Sequence, residues 1–174
     1  MAAVGDTGTR RKLDSRETIG GLSCIRYAWT DADARLQSCF LDEAAEVAGH
    51  LLPGGTRIHF DDGGKINYCF LGRDTKVEGH MCRGKGHGYM TSFHPNGRLR
   101  LCWLAASAEI QGVPCRRATF LADLIGESVG VYFHPDGSLT GCELYRKLTV
   151  EGRTFRKGYR IELNPGGNPV AKQR

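Results

Sequence analysis

The amino-acid sequence predicts an all-β fold built from hairpins, and three observations lead to this prediction. Apolar and polar residues alternate with a period of two, as they do in a strand with one buried face. Turn sequences rich in Gly, Pro, Asn and Asp interrupt the alternating runs. The same order of strands and turns then occurs four times along the chain, which favours hairpins joined in series.

The repeated unit is defined by one cysteine in each copy. Leu or Ile stands three positions before this cysteine, Leu stands two positions after it, and Val or Ile and then Gly follow at constant distances. The four cysteines are Cys39, Cys69, Cys102 and Cys142. Differences in length between the copies fall at a single point, as expected for a loop on a constant scaffold. We therefore predict four imperfect copies of a unit of about 30 residues.

Each unit contains a turn with recognisable chemistry, most clearly at residues 94–97 (His-Pro-Asn-Gly) and 134–137 (His-Pro-Asp-Gly). Pro presets φ near about −65° at the second position, and Gly accepts a positive φ at the fourth. This combination is typical of a three-residue hairpin loop followed by a β-bulge. A Val-x-Gly segment such as residues 77–79 predicts a further short strand, whose glycine marks a bulge or a close backbone approach.

The architecture follows from the need of each hairpin to bury its apolar face against a neighbour. We predict an antiparallel meander curled into a roll or barrel, with a β-solenoid as the alternative. The single β-repeat domain is expected at residues 21–167, between a flexible N-terminal tail (1–20) and a C-terminal tail (168–174). The insertion at 116–128 is expected to form one short helix.

Cysteine usage, charge and hydropathy restrict the class of protein. The chain has seven cysteines, an odd number, without a CxxC motif or an apolar leader. This favours unpaired cysteines buried as small hydrophobes in a reducing, cytoplasmic compartment. No apolar run reaches the roughly 18 residues that a membrane-spanning helix needs. The net charge of +5 is spread along the chain without a nucleic-acid-binding motif, so nucleic acid is not favoured as a partner.

No pattern in the sequence identifies a catalytic or metal-binding constellation. Turn chemistry accounts for His94 and His134, while His50 and His80 are expected to face solvent. Most cysteines recur at equivalent positions, which indicates packing rather than nucleophilic catalysis. We predict no catalytic residue, no metal site and no cofactor, and the sequence favours a protein that is not an enzyme.

Two features predict a binding surface. Aromatic residues stand between the Cys and the Leu of three units. If the sheet closes, these side chains would fill the interior or the far face; if the sheet stays open, they would form an exposed apolar stripe, and such stripes mark partner surfaces. A Gly-rich basic insertion, Arg-Gly-Lys-Gly-His at 83–87, would contact an anionic partner. The predicted binding residues are Phe40, Phe70, Trp103, Arg83, Lys85 and His87.

Residues 34–167 resemble the MORN-variant hairpin-repeat proteins of bacteria, some of which are antitoxin-like. The resemblance rests on the pattern Gly-x-Leu-x-x-Cys-x-Leu and on Phe-His-Pro-Asp-Gly at 133–137. It implies an all-β array of hairpins without catalytic residues, and functions such as lipid contact or toxin neutralisation.

The sequence therefore predicts a non-catalytic β-repeat protein that mediates protein–protein interaction, antitoxin-like or as a scaffold. The alternative is a closed β-barrel whose interior binds or converts a small apolar molecule. In that case Tyr68, Glu143 or Arg153 would supply the polar groups of the interior. An enclosed cavity of ligand size would distinguish the two functions.

Overall fold

The structure is a computed structural model that describes residues 9–84, 88–118 and 130–170. Within these ranges the chain forms strands and turns but no helix, and therefore no helix capable of crossing a membrane. The nineteen strands are β1 (Thr9–Lys12), β2 (Glu17–Ile19), β3 (Leu22–Thr30), β4 (Leu36–Leu41), β5 (Ala45–Val47), β6 (His50–Leu52), β7 (Arg57–Phe60), β8 (Ile66–Phe70), β9 (Thr75–Val77), β10 (His80–Cys82), β11 (Met90–Phe93), β12 (Leu99–Cys102), β13 (Ala108–Ile110), β14 (Val113–Cys115), β15 (Val131–Phe133), β16 (Leu139–Glu143), β17 (Leu148–Val150), β18 (Arg153–Phe155) and β19 (Arg160–Glu162).

Eleven strands form one sheet, which we call the large sheet. Ten of them lie in the order β1, β3, β4, β7, β8, β11, β12, β15, β16, β19, and β2 pairs with the first part of β3. Every pairing is antiparallel, which confirms the predicted all-β antiparallel meander. It also excludes a parallel β-solenoid for the described strands.

The large sheet is open, so the prediction of a closed barrel is wrong. Its edge strands β1 and β19 do not pair with each other in the described ranges. β1 carries Arg10, Arg11 and Lys12, and charged side chains on an edge strand oppose pairing with another strand. At the other edge the chain folds back, and Val170 N donates to Glu162 O at 2.8 Å. The alternative function loses the closed interior on which it depended.

The remaining eight strands form four two-stranded sheets, which we call the small hairpins: β5–β6, β9–β10, β13–β14 and β17–β18. Each turns through two residues of positive φ, such as Glu78 (45°) and Gly79 (86°), the conformation of a type I′ turn. The turn between β2 and β3 has the same form, with positive φ at Gly20 and Gly21. The sequence predicted that the glycine of the Val-x-Gly segment at residues 77–79 marks a bulge or a close backbone approach. This prediction is wrong, because Gly79 lies in the turn and a Cβ on it would meet no atom within 4 Å.

The tight turns within the large sheet have the predicted geometry. Gly97 has a φ of +83°, and its N–H donates to His94 O at 2.8 Å. The register shifts where Phe93 pairs with Leu99, which is the bulge expected after such a turn. The turn at 134–137 repeats this arrangement. The predicted hairpin loops with a bulge are confirmed.

A single hydrophobic cluster joins the large sheet to the small hairpins. Cys69 and Leu71 of the large sheet and Val77 and Cys82 of a small hairpin are all buried within it. An isolated two-stranded hairpin is at best marginally stable in water, so each small hairpin depends on this shared core. The aromatic residues on the opposite side of the large sheet lie outside the cluster, and we call that side the outer face.

Polar side chains at the small-hairpin turns add a second connection. Glu78 accepts hydrogen bonds from Leu99 N at 3.0 Å and from Arg98 Nε at 3.1 Å. Gln111, at the same turn position of the next small hairpin, accepts from Leu139 N at 2.9 Å. Each side chain thus accepts a hydrogen bond from a backbone N–H of the large sheet that, because of the bulge, has no partner on the neighbouring strand.

A disulfide between Cys115 and Cys142 corrects the prediction that the cysteines are unpaired. It joins β14 of a small hairpin to β16 of the large sheet, with the two Cα atoms 5.6 Å apart. The other five cysteines are free and buried. A count of cysteines does not reveal this bridge, because only the fold brings these two distant residues together.

Three sequence-based assignments concern the chain ends and the insertion. The predicted N-terminal tail contains β1 and β2 from residue 9 onward. In the predicted C-terminal tail, Pro169 pairs with Leu163 in an isolated bridge. Residues 119–129, where most of the predicted short helix falls, lie outside the described residues.

Glu78→Ala should lower the free energy of unfolding by about 2 kcal/mol, because it leaves a half-buried backbone N–H and an arginine without their acceptor. Glu151→Ala is the matched control, since Glu151 occupies the same turn position with a φ of 48° and its side chain makes no hydrogen bond or ion pair within the described ranges. We expect a change below about 0.5 kcal/mol for this variant. Urea unfolding measures both, and equal losses would contradict the role of Glu78.

Candidate functional site

The outer face of the large sheet carries aromatic residues and arginines but almost no acid. From β1 through β15, the strands of this sheet contain one acidic residue, Glu17 on β2. Its carboxylate is paired with Arg11 at 2.6 Å. The remaining arginines of these strands have no carboxylate beside them on their own sheet, so this part of the molecule has a positive outer surface.

Arg57 lies at the centre of this surface. The ladder places it between Phe40 on β4 and Phe70 on β8, and alternation along β7 directs it away from buried Ile58. Its guanidinium carbon is 4.6 Å from the ring centre of Trp29 and 5.7 Å from that of Phe40. These are cation–π distances, so rings on two neighbouring strands hold the guanidinium in position.

The cluster extends from Arg57 to the edge of the sheet. Arg10 on β1 lies 4.0 Å from the ring centre of Tyr27 and 5.5 Å from that of Trp29. Trp29 is in turn 6.5 Å from Phe40, ring centre to ring centre. We call this continuous set the arginine–aromatic cluster; its members are Arg10, Arg26, Tyr27, Trp29, Phe40, Arg57, His59, Tyr68 and Phe70.

Two of the predicted binding residues line one cleft in this cluster. The cleft has a volume of about 560 Å³. Arg26, 5.9 Å from the Phe40 ring, also borders it. Its lining residues are Arg26, Phe40, Gly55, Arg57, Phe70, Leu71, Gly72 and Gly88. The structure therefore places Phe40 and Phe70 along one cleft, together with Arg26 and Arg57.

His59 contributes an uncharged ring to the cluster. It stacks on Tyr68 with ring centres 4.2 Å apart and planes inclined by 15°. Burial, and to a lesser extent the positive charge of Arg57, lower the pKa of His59 to about 4. At neutral pH the imidazole is therefore neutral and extends the aromatic surface without adding charge.

The other predicted binding residues meet at a neighbouring position. Trp103 and Tyr89 make a T-shaped contact with ring centres 6.0 Å apart, and Arg83 lies 4.8 Å from the Tyr89 ring centre. Arg83 also donates to Ala118 O at 2.6 Å. Only β11 separates this group from Phe70 in the sheet, a distance of roughly 10 Å. Lys85 and His87 lie outside the described residues.

Sequence reasoning missed the arginines and the aromatic residues of β3. Tyr27, Trp29 and Arg57 were not among the predicted binding residues, because each strand was considered by itself. The signal that could have found them is the comparison of outward positions across adjacent strands, which collects aromatic residues and arginines on one face. That comparison requires the strand order, which local alternation does not provide.

The histidines of the turns and small hairpins act as structural contacts. His94 Nε2 lies 2.9 Å from Phe133 O, and His134 Nε2 lies 3.2 Å from Leu163 O. His50 and His80, expected to face solvent, instead stack on Phe93 and Phe133. Among the described residues no three His, Cys, Asp or Glu side chains form a group that could hold a metal ion.

The three polar residues of the alternative function do not share an interior. Tyr68 is in the outer-face cluster against His59. Glu143 is paired with Arg116, and Arg153 is exposed on β18 of a small hairpin. These positions lie on different parts of the molecule, so they do not combine into an acid–base site.

Comparison with known proteins finds no match to this chain among protein-family models, curated proteins or solved structures. The geometry and chemistry of the outer face are therefore the guide to function.

The stability of the protein should fall between pH 6.5 and pH 4 in part through His59. Its pKa is lowered to about 4 in the folded state from 6.5, so the unfolded state binds more protons in this window and the free energy of unfolding decreases as pH falls. For this partly exposed ring we expect a contribution of roughly 1–2 kcal/mol. His59→Phe should remove it while keeping the stack on Tyr68.

Urea unfolding of both proteins at a series of pH values measures the effect. The pKa of His80 is also lowered, by burial, and this contribution remains in both proteins, so the difference between them isolates His59. Identical pH dependence in the two proteins would contradict the assignment.

Proposed function

We propose that this chain is a non-catalytic β-repeat protein, built from four imperfect copies of the hairpin unit, that binds an acidic segment of a protein partner on its outer face. The observation that carries the proposal is the arginine–aromatic cluster around Arg57, on strands almost free of acidic residues. The shared turn geometry of the small hairpins supports the description as copies.

The residue types of the cluster favour a protein partner. Aromatic residues and Arg are enriched at protein interfaces, whereas Asp and Glu are depleted from their centres. Trp, Tyr and Arg are also the residues that most often dominate binding energy. The cluster and the Trp103 group lie on seven adjacent strands, β1 to β12 in the sheet order, a width of about 29 Å. This width is comparable with one side of a standard interface.

The charges of the cluster favour an acidic segment. Arg10, Arg26 and Arg57 have no carboxylate partner within the described ranges, whereas arginines elsewhere, such as Arg98 and Arg146, are paired with Glu. A guanidinium held against rings keeps its donors in a constant direction and suits a planar carboxylate. In addition, Arg57 Nε and Trp103 Nε1 are buried donors without an acceptor in the described part of the chain. A partner that brings carboxylates complements these groups.

The resemblance to antitoxin-like hairpin-repeat proteins is compatible with such a surface, because neutralisation of a toxin requires binding of another protein. That resemblance stays a prediction, as does the cytoplasmic location. Small-molecule binding in a barrel interior has less support, since the large sheet is open.

Binding of a defined acidic probe tests the proposal. A labelled copolymer of glutamate and tyrosine should bind the protein, and Arg57→Gln should weaken binding by at least about tenfold, equivalent to about 1.4 kcal/mol. Arg57→Lys should give an intermediate loss, since it keeps the charge but not the planar group. Fluorescence anisotropy at constant salt measures the affinities, with urea unfolding as a check that each variant is folded.

Arg153→Gln is the matched control, because it removes the same charge from exposed β18 on a small hairpin. Its affinity should stay within about twofold of the parent protein. Equal losses for Arg57→Gln and Arg153→Gln would show attraction by net charge alone and overturn the proposal. Tighter binding of a single-stranded oligonucleotide than of the copolymer would overturn it in favour of a nucleic-acid partner, since such strands also use aromatic and basic surfaces.

A further inference from the structure

The disulfide occupies a position in the fold that occurs more than once. Cys115, the last residue of β14, pairs with Leu144 in an antiparallel bridge, and Cys142 stands two residues before that leucine. Two backbone hydrogen bonds flank the bridge, from Arg116 N to Glu143 O at 2.7 Å and from Tyr145 N to Pro114 O at 3.0 Å. This arrangement sets the two sulfur atoms side by side.

Cys82 and Cys102 have the same arrangement. Cys82 ends β10 and pairs with Leu104, which lies two residues after Cys102. The flanking hydrogen bonds are also present, from Arg83 N to Trp103 O at 2.5 Å and from Ala105 N to Met81 O at 2.9 Å. The thiol of Cys82 lies close enough to raise the pKa of Cys102, and Cys82 Sγ donates to His80 O at 3.5 Å.

Cys24 and Cys39 repeat the register a third time. Cys24 follows the Gly20–Gly21 turn and pairs with Leu41, two residues after Cys39. Asp42 N donates to Ser23 O at 2.9 Å, as at the other two sites. The Cys24 thiol likewise lies close enough to raise the pKa of Cys39, and Cys24 Sγ donates to Leu22 O at 3.5 Å.

The seventh cysteine has no such partner. The residue that corresponds to Cys82 and Cys115 in the preceding small hairpin is Leu52, so the equivalent neighbour of Cys69 is a leucine. Leu52 is followed by Pro53, which lacks the backbone N–H that Arg83 and Arg116 donate in the flanking hydrogen bonds. Three equivalent pairs and one cysteine outside this register therefore account for the odd number of cysteines.

We propose that Cys24–Cys39 and Cys82–Cys102 are two further cross-link sites, which become disulfides in the register of Cys115–Cys142. The co-reactant is a small disulfide such as oxidised glutathione. One thiolate attacks it, forming a mixed disulfide and releasing one glutathione thiol. The second cysteine then displaces the other glutathione. Each protein S–S bond forms as one glutathione S–S bond breaks, and the two electrons and two protons pass to glutathione.

The cross-links form during folding rather than in the finished structure. All four thiols are buried, and the neighbouring Cys82 thiol together with burial raises the pKa of Cys102. A thiolate accessible to glutathione therefore requires that the strands have not yet closed over the pair. Once formed, each bridge ties one hairpin end to the next strand pair of the large sheet.

Peptide mapping tests the proposal on the unmodified chain. The reduced, unfolded protein is refolded in a mixture of reduced and oxidised glutathione, denatured with an alkylating reagent and digested with trypsin. We expect peptide 17–26 joined to 36–57, and peptides 77–83, 101–116 and 118–146 joined in one product. Peptide 66–73, which carries Cys69, should be the only alkylated peptide. Fragmentation of the joined products then assigns the cysteine pairs.

The outcome is judged in protein that has formed the link between peptides 101–116 and 118–146. If peptide 17–26 is alkylated in that protein, the Cys24–Cys39 site is overturned; if peptide 77–83 is alkylated, the Cys82–Cys102 site is overturned. A cross-link that includes Cys69 would overturn the register argument as a whole. Cys69→Ser is the matched control and should leave both joined products unchanged. Cys102→Ser should release 77–83 in alkylated form; if that variant does not fold, the map of the parent chain still decides the outcome.

Discussion

The fold depends on one constraint, which is that the small hairpins and the large sheet bury their apolar faces only against each other. A three-residue strand such as β9 or β10 cannot form a core with its partner alone. Val77 and Cys82 are buried because Leu71, Cys102 and their neighbours in the large sheet complete the cluster. Each small hairpin therefore has to return to the core that it shares with the large sheet.

In this arrangement the outer face of the large sheet does not contribute to the shared hydrophobic cluster. Residues facing the core alternate with residues on the outer face, so the positions of Phe40, Arg57 and Phe70 are not determined by packing in the hydrophobic cluster. The outer positions are nevertheless occupied by rings and guanidinium groups in contact with each other. Cross-strand contacts of this kind stabilise a sheet, and aromatic residues and arginines are also the residues enriched at protein interfaces.

The elements that could be predicted from the sequence are those set by local chemistry. The His-Pro-x-Gly turns followed from the fixed φ of proline and the freedom of glycine, and the alternation along β7 identified its buried side. The predictions that went wrong concern relations between distant segments: closure of the sheet, the solvent-facing histidines and the unpaired cysteines. His50, for example, packs on Phe93, a contact that no local pattern specifies. The β2–β3 turn was missed because a Gly-Gly pair in a polar segment gives only a weak strand signal.

For the candidate site, too, features set by local chemistry could be predicted from the sequence, whereas relations between distant segments could not. The sequence by itself determined the all-β class, the hairpin turns, the spacing of the cysteines and the aromatic residues at Phe40, Phe70 and Trp103, because each of these depends on residues close together in the chain. Only the tertiary structure decided that the sheet stays open, that Cys115 meets Cys142, and that Arg57 lies between Trp29 and Phe40. These outcomes depend on strand order and on the register between strands, which are set by packing over the whole core rather than by any single segment.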